Sequence, residues 1–377
     1  MVAAGLPNEV LSIPDLAALL VACAGIQDAR QLASCSRRLE PPLLAAGRRA
    51  IREQLGSSVF CILGGVGPPA LASVEVLFRD AGSWETLQPL PNSRHGYAAV
   101  VLEAQLYILG GMGGWPIMRH AARLDLASHV WEDLPDMAEP RTSFAAAALL
   151  GCIYISGGDG GKSGSGQCKA SPTAARFRPN EASVAMVATA GDCAPPARQV
   201  GAWEVLPAMS LGRTSVSAAT LRGSLYVCGG LGKGGLELRC GERFDPAKNR
   251  WIALPNMSAG RACHAVVATR GRIFACGGRT HGRATSILES LAPGAPRWET
   301  LPPMRTRRCR PAAAVLAGEI WICGGDDGSR SVGSAERFDP STKRWEPLPH
   351  LLVARSRAAA VALPEVVVRK LRAKVPL

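Results

Sequence analysis

One pattern recurs six times along the chain and limits what it can fold into. A Gly-Gly doublet ends an apolar run, a Trp follows, and an Arg lies ten residues after each Trp. The doublets begin at Gly64, Gly110, Gly157, Gly229, Gly277 and Gly324. The tryptophans are Trp84, Trp131, Trp203, Trp251, Trp298 and Trp345, spaced by 47, 72, 48, 47 and 47 residues. The arginines are Arg94, Arg141, Arg213, Arg261, Arg308 and Arg355. A fixed period of this length indicates repeated structural units that bury their apolar faces against one another.

Each unit carries four strand patterns. The run before the doublet is apolar on both faces, as in LYILGG from Leu106, which is typical of a strand between two packed sheets. A second predicted strand often ends in Asp-Pro, as in the sequence ERFDP from Glu242. The third predicted strand begins at the Trp. The fourth is rich in Ala, as at Ala145, and small side chains fit where many strands converge on an axis. With 41 Gly, 28 Pro and only 5% aromatic residues, the composition also favours short strands joined by turns.

The glycine doublet, the Trp and the Arg-x-x-large-Ala sequence together resemble the kelch repeat. The resemblance covers about 300 residues of the 377 and implies an all-β, six-bladed β-propeller. Residues 1–56 precede the repeats and are predicted to form a short helical segment. We expect the propeller over residues 57–363 and a basic tail over 364–377. The first doublet has no Ala-rich strand before it, so the C-terminal strand 357–363 is predicted to join the first blade and close the ring.

The third unit exceeds the period by 25 residues. The excess divides between the segment from Gly158 to Phe177 and the segment from Pro179 to Trp203, and both are predicted to be loops. The first contains Gly161-Lys162-Ser163, which matches the end of a phosphate-binding loop. The earlier glycine of that motif is Ser156 here and no helix pattern follows, so a blade loop is favoured.

Composition narrows the function without naming it. A net charge of +13 favours a negatively charged partner, but the basic residues are dispersed, which disfavours nucleic acid. The 12 Cys form no CxxC pair and the longest N-terminal apolar run is short, so we expect free thiols, no membrane span and a cytoplasmic protein, with the nucleus as the alternative. No cofactor, metal site or enzymatic activity is predicted.

The six arginines at one position of the repeat have two interpretations. They either bond within the repeat or line one mouth of the ring, and the internal role is favoured because a repeated residue usually serves the repeat. Resemblance to ligand-binding kelch domains implies a pocket formed by the loops after the doublets and the loops before the Ala-rich strands. The predicted partner-binding residues are His95, Trp115, Lys233, Arg279, His281, Arg283, Arg310, Asp327, Arg330 and Arg357. Arginine forks grip carboxylates and phosphates, so an acidic or phosphorylated peptide is the expected ligand.

Residues 1–56 have two interpretations. Leu-Pro-Asn-Glu from Leu6 and the later segment Asp28 to Leu39 resemble a degenerate F-box, which implies docking onto an adaptor of a cullin-type ubiquitin ligase. The predicted docking residues are Leu6, Pro7, Leu16, Leu20 and Leu32. Six extra residues and Pro14 depart from that pattern, and an amphipathic helical cap is the alternative. The sequence thus favours a protein-interaction platform that receives ubiquitin-ligase substrates, with a cytoskeletal or signalling scaffold as the second hypothesis.

Overall fold

A computed structural model describes residues 58–364, apart from 68–69, 79–81, 88, 104, 114–115, 126–129, 162–168 and 184–198, together with Val368. The residues from Ser58 to Leu377 form one compact unit. The predicted F-box-like segment 1–56 and almost all of the predicted basic tail lie outside the described residues.

The described chain is built from short strands. In chain order they are β1 (Ser58–Val66), β2 (Ala70–Phe78), β3 (Glu85–Leu87), β4 (Ala98–Leu102), β5 (Gln105–Leu109), β6 (Ala121–Asp125), β7 (Trp131–Leu134), β8 (Ala145–Leu149), β9 (Cys152–Ser156), β10 (Ala174–Ser183), β11 (Gln199–Leu206), β12 (Ser217–Leu221) and β13 (Ser224–Cys228). They continue as β14 (Gly241–Asp245), β15 (Arg250–Leu254), β16 (Ala265–Thr269), β17 (Arg272–Cys276), β18 (Arg279–Thr280), β19 (Arg283–Ala284), β20 (Leu288–Leu291), β21 (Glu299–Leu301), β22 (Ala312–Leu316), β23 (Glu319–Cys323), β24 (Ala335–Asp339), β25 (Arg344–Leu348) and β26 (Ala359–Pro364). A 3₁₀ turn spans Lys233–Gly235.

The strands form six four-stranded antiparallel sheets, which we call blades 1 to 6. Within each blade the strands are given from the axis of the ring outward. Blade 1 is β26-β1-β2-β3, blade 2 is β4-β5-β6-β7, blade 3 is β8-β9-β10-β11, blade 4 is β12-β13-β14-β15, blade 5 is β16-β17-β20-β21 and blade 6 is β22-β23-β24-β25. The first strand of each blade is Ala-rich and contacts its counterparts in both neighbouring blades around a closed ring. This arrangement confirms the predicted all-β, six-bladed propeller.

The C-terminal strand lies in blade 1. It was expected over 357–363 and runs from Ala359 to Pro364, where it pairs antiparallel with β1 from Ser58↔Pro364 to Leu63↔Ala359. The first blade is therefore made from both ends of the described chain.

The apolar core lies between blades. One cluster, for example, packs Tyr154 and Leu206 of blade 3 against Val227 and Phe244 of blade 4. The strand before each doublet is buried on both faces, because it lies between two neighbouring sheets. The interface between the last and first blades is packed in the same way, with the rings of Phe60 and Trp321 5.9 Å apart.

The repeated tryptophans join the blades to one another. In five blades the indole Nε1 donates a hydrogen bond to a proline carbonyl that follows the outer strand of the preceding blade, at 2.8 to 3.0 Å. The pairs are Trp84 with Pro349, Trp203 with Pro135, Trp251 with Pro207, Trp298 with Pro255, and Trp345 with Pro302. The Trp84 bond joins blade 6 to blade 1, so the closure of the ring uses the same link as four other pairs of neighbouring blades.

Blade 3 departs from the sequence expectation at its insertion. The segment from Pro179 to Trp203 was predicted to be a loop, but β10 continues past Pro179 to Ser183, with an irregular register between Arg178 and Ala182. The insertion thus begins and ends as strand rather than as loop. Pro179 is tolerated there because the irregularity relieves it of a ladder hydrogen bond.

Candidate functional site

Two sets of loops meet at one end of the ring, which we call the doublet face. In blades 2 to 6 a short turn at the opposite end joins the first two strands, and in blade 1 β26 and β1 pair in the same antiparallel way, so the loop before the first strand and the loop after the second lie together. Isolated bridges join the two loops in every blade, for example His95↔Met112 and Ala262↔Arg279. The resemblance to ligand-binding kelch domains predicts a ligand pocket on this face.

The repeated arginines are internal. All six are at most 5% exposed. In four blades the guanidinium donates to the carbonyl of the first glycine of its doublet, as Arg308 does to Gly324 at 2.8 Å. In four blades it also pairs with a buried glutamate on the third strand; these pairs are Arg213–Glu242, Arg261–Glu289, Arg308–Glu336 and Arg355–Glu75. The arginines therefore hold the two loop sets of one blade together and do not line the mouth.

Arg94 of blade 2 is the exception. It is 1% exposed, yet its Nε and Nη1 have no hydrogen-bond partner. Ala122 occupies the register position that Glu336 has in blade 6, so the carboxylate is missing. Burial lowers the pKa of Arg94. Blade 2 thus keeps the repeated cation without its usual counter-charge.

A second position of the repeat lines the mouth. Two residues after each repeated arginine, the chain adopts a positive φ of 50° to 64°. Backbone N–H groups at this position donate to the carbonyl of the same position in the preceding blade, with N···O distances of 2.7 to 3.3 Å. The six residues, which we call the mouth ring, are Gly96, Ser143, Ser215, Cys263, Arg310 and Arg357. Sequence reasoning selected only Arg310 and Arg357 of these, although the constant offset from the arginine would have identified all six.

Three predicted partner-binding residues come together on this ring. His95 precedes Gly96 in blade 2, and its pKa is lowered by burial and by the nearby guanidinium groups of Arg357 and Arg310. The Nδ1 atom of His95 is buried without a partner. Arg310 of blade 6 and Arg357 of blade 1 therefore give one side of the mouth a positive charge beside the neutral His95, whereas blades 3 and 4 present Ser143 and Ser215.

Three other predicted residues lie on the two-strand hairpin β18–β19, after the doublet of blade 5. Arg279 donates to Glu237 of blade 4 at 3.0 Å, and the backbone N–H of His281 donates to the same carboxylate. Arg283 is exposed. Sequence reasoning missed Glu237, which neutralises Arg279 and ties the hairpin to the neighbouring loop. A ligand carboxylate would have to displace Glu237 to bind Arg279.

The remaining predicted residues are spread over the doublet face. Lys233 is exposed in the 3₁₀ turn. Asp327 accepts hydrogen bonds from Ser329 and from the Arg330 backbone, which lowers its pKa to about 2. Arg330 is itself exposed and lies 3.9 Å from that carboxylate. Trp115 lies outside the described residues, as do Leu6, Pro7, Leu16, Leu20 and Leu32.

The thiols and histidines of the described chain offer no metal centre. No group of three or more His, Cys, Asp or Glu in the part of the chain that the structure describes is placed to hold a metal ion. Burial raises the pKa of Cys228, Cys276 and Cys323, which directly precede glycine doublets, to about 12. Burial, together with the nearby guanidinium of Arg261, lowers the pKa of His264 to about 3. Among the described helices, none is long and apolar enough to cross a membrane.

Comparison with known proteins supports the repeat assignment. The family model of the Kelch motif matches residues 93–138, 212–258, 260–305 and 307–352. Each match begins one residue before a repeated arginine and covers one blade, namely blade 2, 4, 5 or 6. The other two blades are the one closed by the C-terminal strand and the one with the insertion. No curated protein matches the chain.

Proposed function

Because the chain is a six-bladed kelch-repeat propeller, a fold typical of non-enzymatic interaction proteins, we propose that its doublet face binds an acidic or phosphorylated segment of a protein partner. The fold suggests a protein–protein interaction platform, and the choice of ligand comes from the charges at the mouth. Rigid blades that present variable loops are suited to recognition, since the loops can differ while the sheets keep their positions.

The carrying observation is the composition of the mouth ring. This position needs only a residue that tolerates a positive φ, and Gly96, Ser143 and Ser215 fill it with small side chains. Blades 6 and 1 instead carry Arg310 and Arg357, with His95 adjacent in blade 2. Apart from Arg94, the repeated arginines are occupied by backbone carbonyls and glutamates. The cationic side of the mouth ring is therefore an addition to the repeat and supports a recognition role.

The chemistry of these groups favours carboxylate or phosphate ligands. A guanidinium presents paired N–H donors that match the two oxygens of a carboxylate or phosphate. Arg310 makes no ion pair with a carboxylate in the part of the chain that the structure describes. The serines on the opposite side of the ring add neutral donors and acceptors. A peptide with acidic residues flanked by small polar residues fits this arrangement.

Binding of labelled peptides to the full-length protein tests the proposal. We expect a library of acidic and phosphorylated peptides to contain ligands whose affinity falls at least about tenfold in Arg310→Ser and Arg357→Ser, since each charge-assisted contact contributes about 1.5–3 kcal/mol. Serine is the native residue at this position in blades 3 and 4, so both variants should fold. Arg344→Ser, at the exposed start of β25, is the matched control. Equal affinity in all four proteins would contradict the site.

We also propose that the protein receives substrates for a cullin-type ubiquitin ligase. The support is the F-box-like sequence of residues 1–56 joined to an interaction propeller, and a cytoskeletal or signalling scaffold is the second candidate. Affinity purification with and without residues 1–56 distinguishes them. Cullin components recovered only with the full chain would support ligase function. Their absence from both samples would leave the scaffold hypothesis, while peptide binding at the doublet face could persist in either case.

A further inference from the structure

Two cysteines from neighbouring blades adjoin at the mouth ring. Cys263 is the ring residue of blade 5, and Cys309 immediately precedes the ring residue of blade 6. The backbone N–H of Arg310 donates to the carbonyl of Cys263 at 2.7 Å, which fixes the two segments side by side. The thiols form a small buried cluster with Ala262, and a hydrogen bond joins the two sulfur groups.

The same pair of positions is in contact elsewhere in the ring. Between blades 2 and 3 the corresponding residues are Gly96 and Thr142, and a Cβ placed on Gly96 would lie 2.4 Å from Thr142 Oγ1. Side chains at these two positions would therefore be within contact distance between blades 2 and 3 as well. In the part of the chain that the structure describes, only blades 5 and 6 place cysteine at both positions.

The hydrogen bond between the two thiols distinguishes them. The hydrogen bond from Cys309 is the largest effect on Cys263, and with Arg310, Ser215 and Arg279 it lowers the Cys263 pKa despite burial. The same bond and burial raise the pKa of Cys309. The strand cysteines Cys228, Cys276 and Cys323 shift upward instead. One thiol of the pair is thus set up as a nucleophile and the other as a protonated partner.

We propose that Cys263 and Cys309 form a peroxide-reactive dithiol whose product is a disulfide linking blades 5 and 6. The Cys263 thiolate attacks one oxygen of hydrogen peroxide, the O–O bond breaks, and after protonation water leaves and Cys263 is a sulfenic acid. The Cys309 sulfur then attacks the Cys263 sulfur, the S–O bond breaks, and a second water leaves with the Cys309 proton. Two thiols are oxidised and one peroxide is reduced, and the two blades become covalently joined at the mouth.

Mass spectrometry of the full-length protein tests the product. After peroxide treatment and blocking of free thiols, we expect a peptide with a 263–309 disulfide. Cys309→Ser should leave a sulfenic acid on Cys263 that dimedone traps, whereas Cys263→Ser should yield neither product. Serine or threonine occupies the corresponding positions at Ser143, Ser215, Ser356 and Thr142, so these variants keep residues that the repeat already accepts. Recovery of both cysteines as blocked free thiols would overturn the proposal.

The rate of alkylation tests the reactive state separately. We expect Cys263 to react with iodoacetamide with a midpoint below that of N-acetylcysteine, and faster than N-acetylcysteine at pH 7 in the same sample. Cys309→Ala removes the hydrogen bond and should slow the reaction at pH 7 at least about tenfold, since the thiolate fraction falls. Alanine is the native residue there in blade 5, at Ala262. A Cys263 rate no higher than that of N-acetylcysteine would overturn the assignment even if harsh oxidation produced a disulfide.

Discussion

A buried guanidinium is stable where its surroundings supply acceptors and a compensating charge, and the repeated arginines differ in this respect. Arg308 is fully buried and donates to Gly324, Ser334 and Glu336. Arg94 is equally buried but lacks a carboxylate, because Ala122 replaces the glutamate. In other blades a backbone N–H of this loop donates a hydrogen bond to the glutamate, as Arg305 does to Glu336. Blade 2 has Pro91 at that loop position, and proline has no N–H to donate. The same residue at the same position of the repeat therefore has different energetic roles.

Replacing these arginines by methionine should separate the two roles. Arg308→Met leaves the buried Glu336 carboxylate without its cation and should lower the free energy of unfolding by about 3–5 kcal/mol. Arg94→Met leaves no buried carboxylate without a cation. It should lower the free energy of unfolding by about 1 kcal/mol or less, or increase it. Urea unfolding of both variants measures the difference. Equal losses of unfolding free energy in the two variants would show that the glutamate counter-charge does not control how much a repeated arginine contributes to stability.

At the scale of the element, the glycine doublet ends one strand and admits the loop of the following inner strand. Gly324 has a φ of 62°, and a Cβ there would lie 2.5 Å from the carbonyl oxygen of Arg355. The next residue, Gly325, uses its N–H to bond that carbonyl at 2.8 Å. Glycine is therefore favoured at the doublet for two reasons: the backbone is left-handed, and another segment of the chain approaches too closely for a Cβ.

Two glycine-to-alanine variants distinguish these reasons. Gly223 lies in the turn between β12 and β13 with a φ of 72° and nothing within 4 Å of a Cβ, so Gly223→Ala should lower stability by only about 1–2 kcal/mol. Gly324→Ala adds a clash with backbone and should lower it by at least about 3 kcal/mol. Thermal and urea unfolding provide the comparison. Similar losses in both variants would mean that backbone conformation alone explains the doublet.

At the scale of the whole molecule, the contacts between the first and last blades repeat those between other blades. Arg355 bonds Gly64, Ser73 and Glu75, as Arg308 bonds its own blade. Trp84 donates to Pro349, and β26 supplies the inner strand of blade 1. Closure therefore depends on a strand about 300 residues from its partner along the chain.

Truncation should show how much of the stability depends on closure. Removing 359–377 leaves the edge of β1 unpaired and exposes the apolar faces of Phe60 and Ile62, so the melting temperature should fall by at least about 10 °C or cooperative unfolding should be lost. Removing 369–377 keeps β26 and serves as the control. Calorimetry of the three proteins measures the effect. Identical melting curves would mean that blade 1 is stable without its inner strand.

The fold class could be predicted because its determinants are local and repeat six times. Glycine doublets indicate a left-handed backbone that most other residues disfavour, apolar runs indicate strands buried on both faces, and the recurring period indicates repeated units of similar size. The site could be predicted only in outline. The pocket residues were chosen by loop, and this found His95, Arg310 and Arg357 on one side of the mouth but gave no sign that Glu237 neutralises Arg279.

The sequence by itself determined the number of units, the order of strand types and the identity of the repeated residues, since periodicity and backbone conformation act within a single unit. The tertiary structure decided which charges are buried with partners, which reach the mouth, and that Cys263 meets Cys309. Those outcomes depend on contacts between residues of different blades, whose separation in space follows from ring closure and carries no mark in the neighbouring sequence.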